Sequence, residues 1–97
     1  MLTSKQRAQL RAMANGMDTI FQIGKGGLSD KINHQLDNAL TARELIKVCT
    51  LETCPVPVKE AAHSIAEAIG ADVVQVVGRR FVLYRPNPEK PVIVLVK

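Results

Sequence analysis

Between Phe21 and Asp30 the chain reads Phe-Gln-Ile-Gly-Lys-Gly-Gly-Leu-Ser-Asp, and the three glycines around Lys25 are where it could hold an anion. Glycine has no Cβ and takes φ > 0 freely, so Gly24, Gly26 and Gly27 let backbone N–H groups come close to a ligand. Ser29 suits the N-cap of a following helix, whose first turn offers free N–H groups and the positive end of its dipole. Lys25 adds a mobile ammonium at the tip. Residues of these types, so spaced, suit binding a phosphate.

Other chemistry fits less well. A Walker A loop needs G-x-x-x-x-G-K-[ST], whereas Lys25 precedes the last two glycines and Ser29 lies four positions beyond it. A dinucleotide fingerprint needs G-x-G-x-x-G or Ala; Gly24-Lys25-Gly26 begins that way, but position 29 is Ser. His34 and His63 fall on outer helix faces with no partner of a catalytic set nearby in sequence. Asp30 with Asp37, and Glu60 with Glu67, have the spacing of solvated helix faces rather than of acid/base pairs. Cys49 and Cys54 are two ligands short of a closed zinc site and suit a reducing compartment. No catalytic residue, metal or cofactor is expected.

Lys and Arg number 13 against 9 Asp and Glu, a net charge of +4. That excess favours a polyanionic partner. The aromatics are Phe21, Phe81 and Tyr84, without Trp, too few for a surface built on stacked bases. Phosphate contacts should therefore dominate any nucleic-acid complex. At 97 residues the chain makes one domain. No run approaches the ~18 apolar residues of a membrane span, and Met1-Leu2-Thr3-Ser4-Lys5 lacks a signal-peptide layout. A cytoplasmic monomer that does not engage membranes is expected.

The elements that must position the loop can be taken in order. Thr3 to Asn15 reads as a first helix, with Thr3 and Gln6 forming a capping box. Leu10, Met13, Ala14 and Met17 mark its buried stripe. Arg7 and Arg11, four apart, share one side, either as solvated charge or as a ridge for phosphates. Asn15-Gly16 ends the helix. A first strand spans Asp18 to Ile23 and feeds the glycine loop. A second helix runs from the Ser29 cap to about Ala42, with Ile32, Leu36, Ala39 and Leu40 inward. Lys31 points outward in its first turn, where a cation opposes the dipole but favours an anion at the loop.

Glu44 to Leu51 reads as a buried strand, interrupted by Lys47, which either snorkels at a sheet edge or faces solvent. Cys54-Pro55-Val56-Pro57 is a rigid connection, with Pro57 at the first position of a third helix. That helix covers Val58 to Ile69, with Val58, Ala61, Ala62, Ile65 and Ile69 inward, and Gly70 stops it. Val73–Val77 and Arg80–Tyr84 flank Gly78-Arg79, a type II′ hairpin signature that projects Arg79 and Arg80 from the tip. Arg85 ends the second of these strands. Residues 91–97 form an apolar tail that adds an edge strand or covers a core edge. The expected fold is a two-layer α/β sandwich, α-β-α-β-α-β-β, with a four-stranded mixed sheet, as a single domain over residues 1–97.

What remains distinctive is G-x-x-G, Gly24 to Gly27, between a strand and a helix. KH domains clamp a nucleic-acid backbone with such a loop, placed between two helices. Four blocks then carry a resemblance: Leu2-Thr3-Ser4-Lys5-Gln6-Arg7, Phe21 through Leu28, Arg43-Glu44-Leu45-Ile46-Lys47-Val48, and Val74 through Gly78 followed by Val82-Leu83-Tyr84-Arg85-Pro86. From Leu2 to about Pro86 the sequence resembles the CRM family (chloroplast RNA splicing and ribosome maturation), the group typified by YhbY.

The resemblance implies a non-enzymatic RNA-binding domain, similar in fold to the C-terminal domain of translation initiation factor 3. It further implies association with rRNA of the precursor large ribosomal subunit. The family's loop maps onto Gly24, Lys25, Gly26 and Gly27, with Arg7, Arg11 and Lys31 as helping cations. The proline-rich connection and the apolar tail depart from the family pattern, and neither is expected to touch the loop. Aspartate at Gly26 or Gly27 is expected to abolish RNA binding with the fold intact. Two rival partners for the same loop stay open, a small phosphate ligand and duplex DNA.

Overall fold

In the computed structural model, which describes residues 2–96, helix α1 (Ser4–Asn15) opens on Thr3 as expected. The Thr3 hydroxyl accepts from the Gln6 N–H, and the Gln6 side chain accepts from the Thr3 N–H. Met1 and Lys97, the ends of the expected 1–97 domain, lie outside the described residues. Strand β1 (Phe21–Ile23) is shorter than expected, with Ile20 adding one bond to Lys47. Helix α2 (Asp30–Arg43) starts at the Ser29 cap, whose hydroxyl accepts from the Ile32 N–H. Strand β2 (Leu45–Thr50) follows, then helix α3 (Val58–Ile69), which Gly70 ends in the left-handed conformation. Pro57 is the N-cap of α3 rather than its first residue. Strands β3 (Asp72–Val77) and β4 (Arg80–Tyr84) close a hairpin on Gly78-Arg79. Gly78 has φ 59° and Arg79 has negative φ, the signature of a type II′ turn.

The sheet order is β1-β2-β4-β3. β1 and β2 run parallel, and β4 lies antiparallel between β2 and β3. Side chains alternate across it. Ile46, Val48, Phe81 and Leu83 pack with Ile23, Leu36, Leu40 and Ile65 under α2 and α3. Leu45, Val74, Val82 and Tyr84 face the other way, against Leu10 and Ala14 of α1. The class, the element order and the mixed sheet are those expected. To the two layers α1 adds a third, because the apolar residues on the second sheet face need a cover. It meets the sheet along Leu10 and Ala14, with Met17 packing just beyond its end, and leaves Met13, expected in its buried stripe, 42% exposed to one side.

Lys47 does not sit at a sheet edge, and its half-buried side chain lies beside α1. β2 is an interior strand, and the Lys47 ammonium donates to the Ala14 carbonyl (3.2 Å) at the C-terminus of α1, where the helix dipole favours a cation. The tail covers a core edge and adds no strand. Ile93 and Leu95 pack beside α1, while Gln6 and Gln9 hydrogen-bond the backbone of Val94 and Val96.

The topology gives the sheet two unlike ends. β1, β2 and β3 finish at one end, where β4 begins and where α2 and α3 start. This loop end carries the glycine loop, the β2–α3 connection and the hairpin tip. The opposite, tail end carries Glu44, Arg85 and the turn into the C-terminal segment.

Candidate nucleic-acid interface

The glycine loop is a turn. The Gly27 N–H donates to the Gly24 carbonyl (3.0 Å), with Lys25 and Gly26 at the two corner positions. Both corner residues have negative φ, and Gly27 alone in this loop takes a positive one, 66°. Lys25 and Gly26 are exposed, and among the described residues neither of their N–H groups donates to a protein acceptor. Two backbone donors and an ammonium therefore share one exposed corner, an arrangement that suits an anion.

The three glycines are not equivalent. A Cβ at Gly26 would meet nothing within 4 Å. At Gly27 it would lie 3.1 Å from Pro55 Cγ on a backbone that side chains rarely adopt. At Gly24 it would touch Leu51 at 3.4 Å, an ordinary contact. Gly27 thus shapes the turn, and Gly26 leaves its outer surface bare. The proline-rich connection does touch the loop, contrary to expectation, since Pro55 packs on Gly27. Register explains it: the Leu51 N–H bonds the Ile23 carbonyl, so β1 and β2 deliver their following loops side by side.

The hairpin tip joins them. The Thr50 N–H donates to the Arg79 carbonyl (2.7 Å), and Arg80 pairs in register with Cys49. The tip and the glycine loop flank the end of β2, two strand spacings or about 10 Å apart. Lys25, Lys31, Lys59, Arg79 and Arg80 are all exposed at this end, with Asp30, Glu52 and Glu60 among them. Arg79 and Glu52 approach to 3.8 Å with both side chains mostly in water, a pair too exposed to neutralise either firmly. The N-termini of α2 and α3 add two positive dipole ends.

Of the residues singled out in sequence, Gly24, Lys25, Gly26, Gly27 and Lys31 are brought together. Arg7 and Arg11 are not. Arg7 donates to the Val73 carbonyl at the start of β3, the far end of the sheet. Arg11 is exposed one helical turn on, and Asn15, one turn further, lines a cleft with Val77 and Arg80 near the tip. Lys59, Arg79 and Arg80 join the site without having been assigned to it. Strand order places the hairpin tip beside the glycine loop, and strand order has no local signature. Among the described residues no cluster could hold a metal ion, and no helix is long and apolar enough to cross a membrane.

Residues 2–85 match the family model of the CRS1 / YhbY (CRM) domain. The chain belongs to the CRM family. Its relatives include a Bacillus subtilis protein named "Probable RNA-binding protein YqeI", 40% identical over 92% of this chain and 93% of its own. A Haemophilus influenzae relative named "RNA-binding protein" is 31% identical over 91% of this chain and 89% of its own. The solution structure of the hypothetical protein SAV1595 from Staphylococcus aureus matches with a TM-score of 0.82 and 44% identity, over 99% of this chain and 100% of that one. The three-layer arrangement seen here is thus a CRM-family fold.

Proposed function

We propose that this chain is a non-enzymatic RNA-binding protein that grips a ribose-phosphate backbone at the loop end of its sheet. One observation carries the proposal: the unpartnered N–H groups of Lys25 and Gly26 share an exposed turn amid a cluster of cations. Phosphates take the backbone donors and Lys25, while Lys31, Arg79 and Arg80 hold the flanking strand. A strand leaving the hairpin tip runs along α1 past Arg11 to Arg7, about 12 Å of helix counted from Asn15. The RNA-binding names of the relatives support this partner. By family resemblance, the RNA is rRNA of the precursor large ribosomal subunit, bound by a cytoplasmic monomer during assembly.

Titration of a large-subunit rRNA fragment, followed by fluorescence anisotropy, tests the interface. Lys25→Ala is expected to weaken binding several-fold and to flatten the salt dependence by about one unit. Gly26→Asp sets a carboxylate where phosphate would lie and is expected to abolish binding. Unchanged affinity in both variants removes the loop from the interface. Crosslinking in cells, with sequencing of the attached RNA, tests the assembly role. Precursor rRNA is expected, and enrichment of messenger or transfer RNA instead would sink it.

A further inference from the structure

Beside the hairpin tip, on the α1 face of the sheet, a cleft of about 130 Å³ opens between the C-terminus of α1 and strands β2, β3 and β4. Asn15, Lys47, Gln75 and Arg80 line it, with Val77 and Val82 as apolar walls. A β-bulge aims one of these groups. Register pairs Val73 with Leu83 but Gln75 with Val82, so Val74 is an extra residue and Gln75 shares the face of Val82. Strict alternation from Val73 would have sent Gln75 into the core under α2 and α3. Lys47 is aimed by its bond to the Ala14 carbonyl, which leaves two of its three ammonium protons free.

We infer that this cleft is a subsite for one unpaired nucleobase of the bound strand, with a preference for guanine. The inference rests on the RNA-binding function proposed above. The volume equals that of about four waters, room for a ring system, and lies below the ~300 Å³ of pockets that enclose whole small ligands. Lys47 and Arg80 can only donate, which matches the adjacent O6 and N7 acceptors of guanine. The amide oxygens of Asn15 and Gln75 accept, which matches guanine's N1–H and exocyclic amino group. The other three bases lack that union of a two-acceptor edge with a two-donor edge. A phosphate would satisfy both cations but offers the amide oxygens no donor. Single-stranded RNA is read through bases splayed out in this manner.

Two ten-nucleotide single-stranded RNAs decide the matter, one of uridines only and one with two central guanines. Each is titrated by fluorescence anisotropy into the wild-type protein and into Gln75→Met and Lys25→Ala, both checked for an unchanged melting temperature. The wild type is expected to prefer the guanine RNA roughly tenfold. Gln75→Met is expected to lose that preference and keep its affinity for the uridine RNA. Lys25→Ala is expected to weaken both RNAs alike and keep the ratio. Equal wild-type affinity for the two RNAs overturns the base subsite while the RNA-binding function stands, as does a preference that survives Gln75→Met. Failure of the wild type to bind either RNA at low salt overturns both.

Discussion

The two ends of the sheet treat their polar groups in opposite ways. At the tail end, Glu44 is fully buried, and its carboxylate accepts the N–H groups of Asn87 (2.6 Å), Val92 (2.6 Å) and Ile93 (2.7 Å). Its backbone has φ 65°, a strained value for a residue with a side chain, and the three bonds hold it there. Arg85 is consumed as fully, by Asp37, the Ile69 carbonyl and Thr41. At the loop end, Lys25 and Lys31 have no acidic partner among the described residues, and Arg79 has only a loose, exposed one. Glu44 and Arg85 spend their charges on holding the chain together, although Arg43, Glu89 and Lys90 at the same end stay exposed. The exposed cations of the loop end are left for something outside the chain.

Mutation can break this comparison most forcefully at Glu44. Glu44→Ala strands three backbone donors and is expected to cost about 3–5 kcal/mol in urea unfolding. The molecules that remain folded are expected to bind RNA as before. A large loss of affinity without loss of stability would mean that the tail end belongs to the interface.

Acid sharpens the same point. Burial raises the Glu44 carboxyl, but the N–H bonds from Asn87, Ile93 and Val92 outweigh it and hold the group below its ordinary value of 4.5. A carboxyl lowered in the folded state stabilises fully above its unfolded value, and that stability is lost as pH falls through the folded one. Unfolding followed below pH 4.5 is expected to show a drop that Glu44→Gln lacks.

Smaller effects separate the glycines. Gly27→Ala is expected to cost about 1–3 kcal/mol, from the positive φ and the contact with Pro55. Gly26→Ala is expected to change stability by less than about 0.5 kcal/mol, since its Cβ meets open space. Equal melting shifts for the two would contradict the division between a shaping glycine and a presenting one. It follows that aspartate at position 27 tests the fold as much as the interface, so Gly26→Asp is the cleaner variant. Smallest of all, Arg79→Ala is expected to leave stability within about 0.5 kcal/mol and to lower the salt slope of RNA binding by about one.

Local signals made much of this molecule legible in the sequence. Period and caps placed all three helices, because Thr3, Ser29 and Gly70 act within a few residues of where they stand. The Gly78-Arg79 turn and the mostly apolar runs on either side of it fixed the hairpin. What joins distant residues was not legible. Glu44 reads as the first residue of a strand, yet it caps α2 and clamps backbone 43 to 49 residues away. Lys47 finds its partner 33 residues back, at Ala14. The insertion of β4 between β2 and β3 carries Arg79 and Arg80 to the glycine loop, and α1 carries Arg7 away from it. For the candidate site, the loop and its two lysines could be read directly, while the arginines around it depended on topology.

The most direct test is an amide chemical-shift titration of the labelled protein with a large-subunit rRNA fragment. Shifts concentrated at Lys25, Gly26, Lys31 and the Arg79–Arg80 tip, with Glu44, Arg85 and residues 87–96 still, are the predicted result. Shifts centred on residues 85–96, with the glycine loop unmoved, would contradict the account.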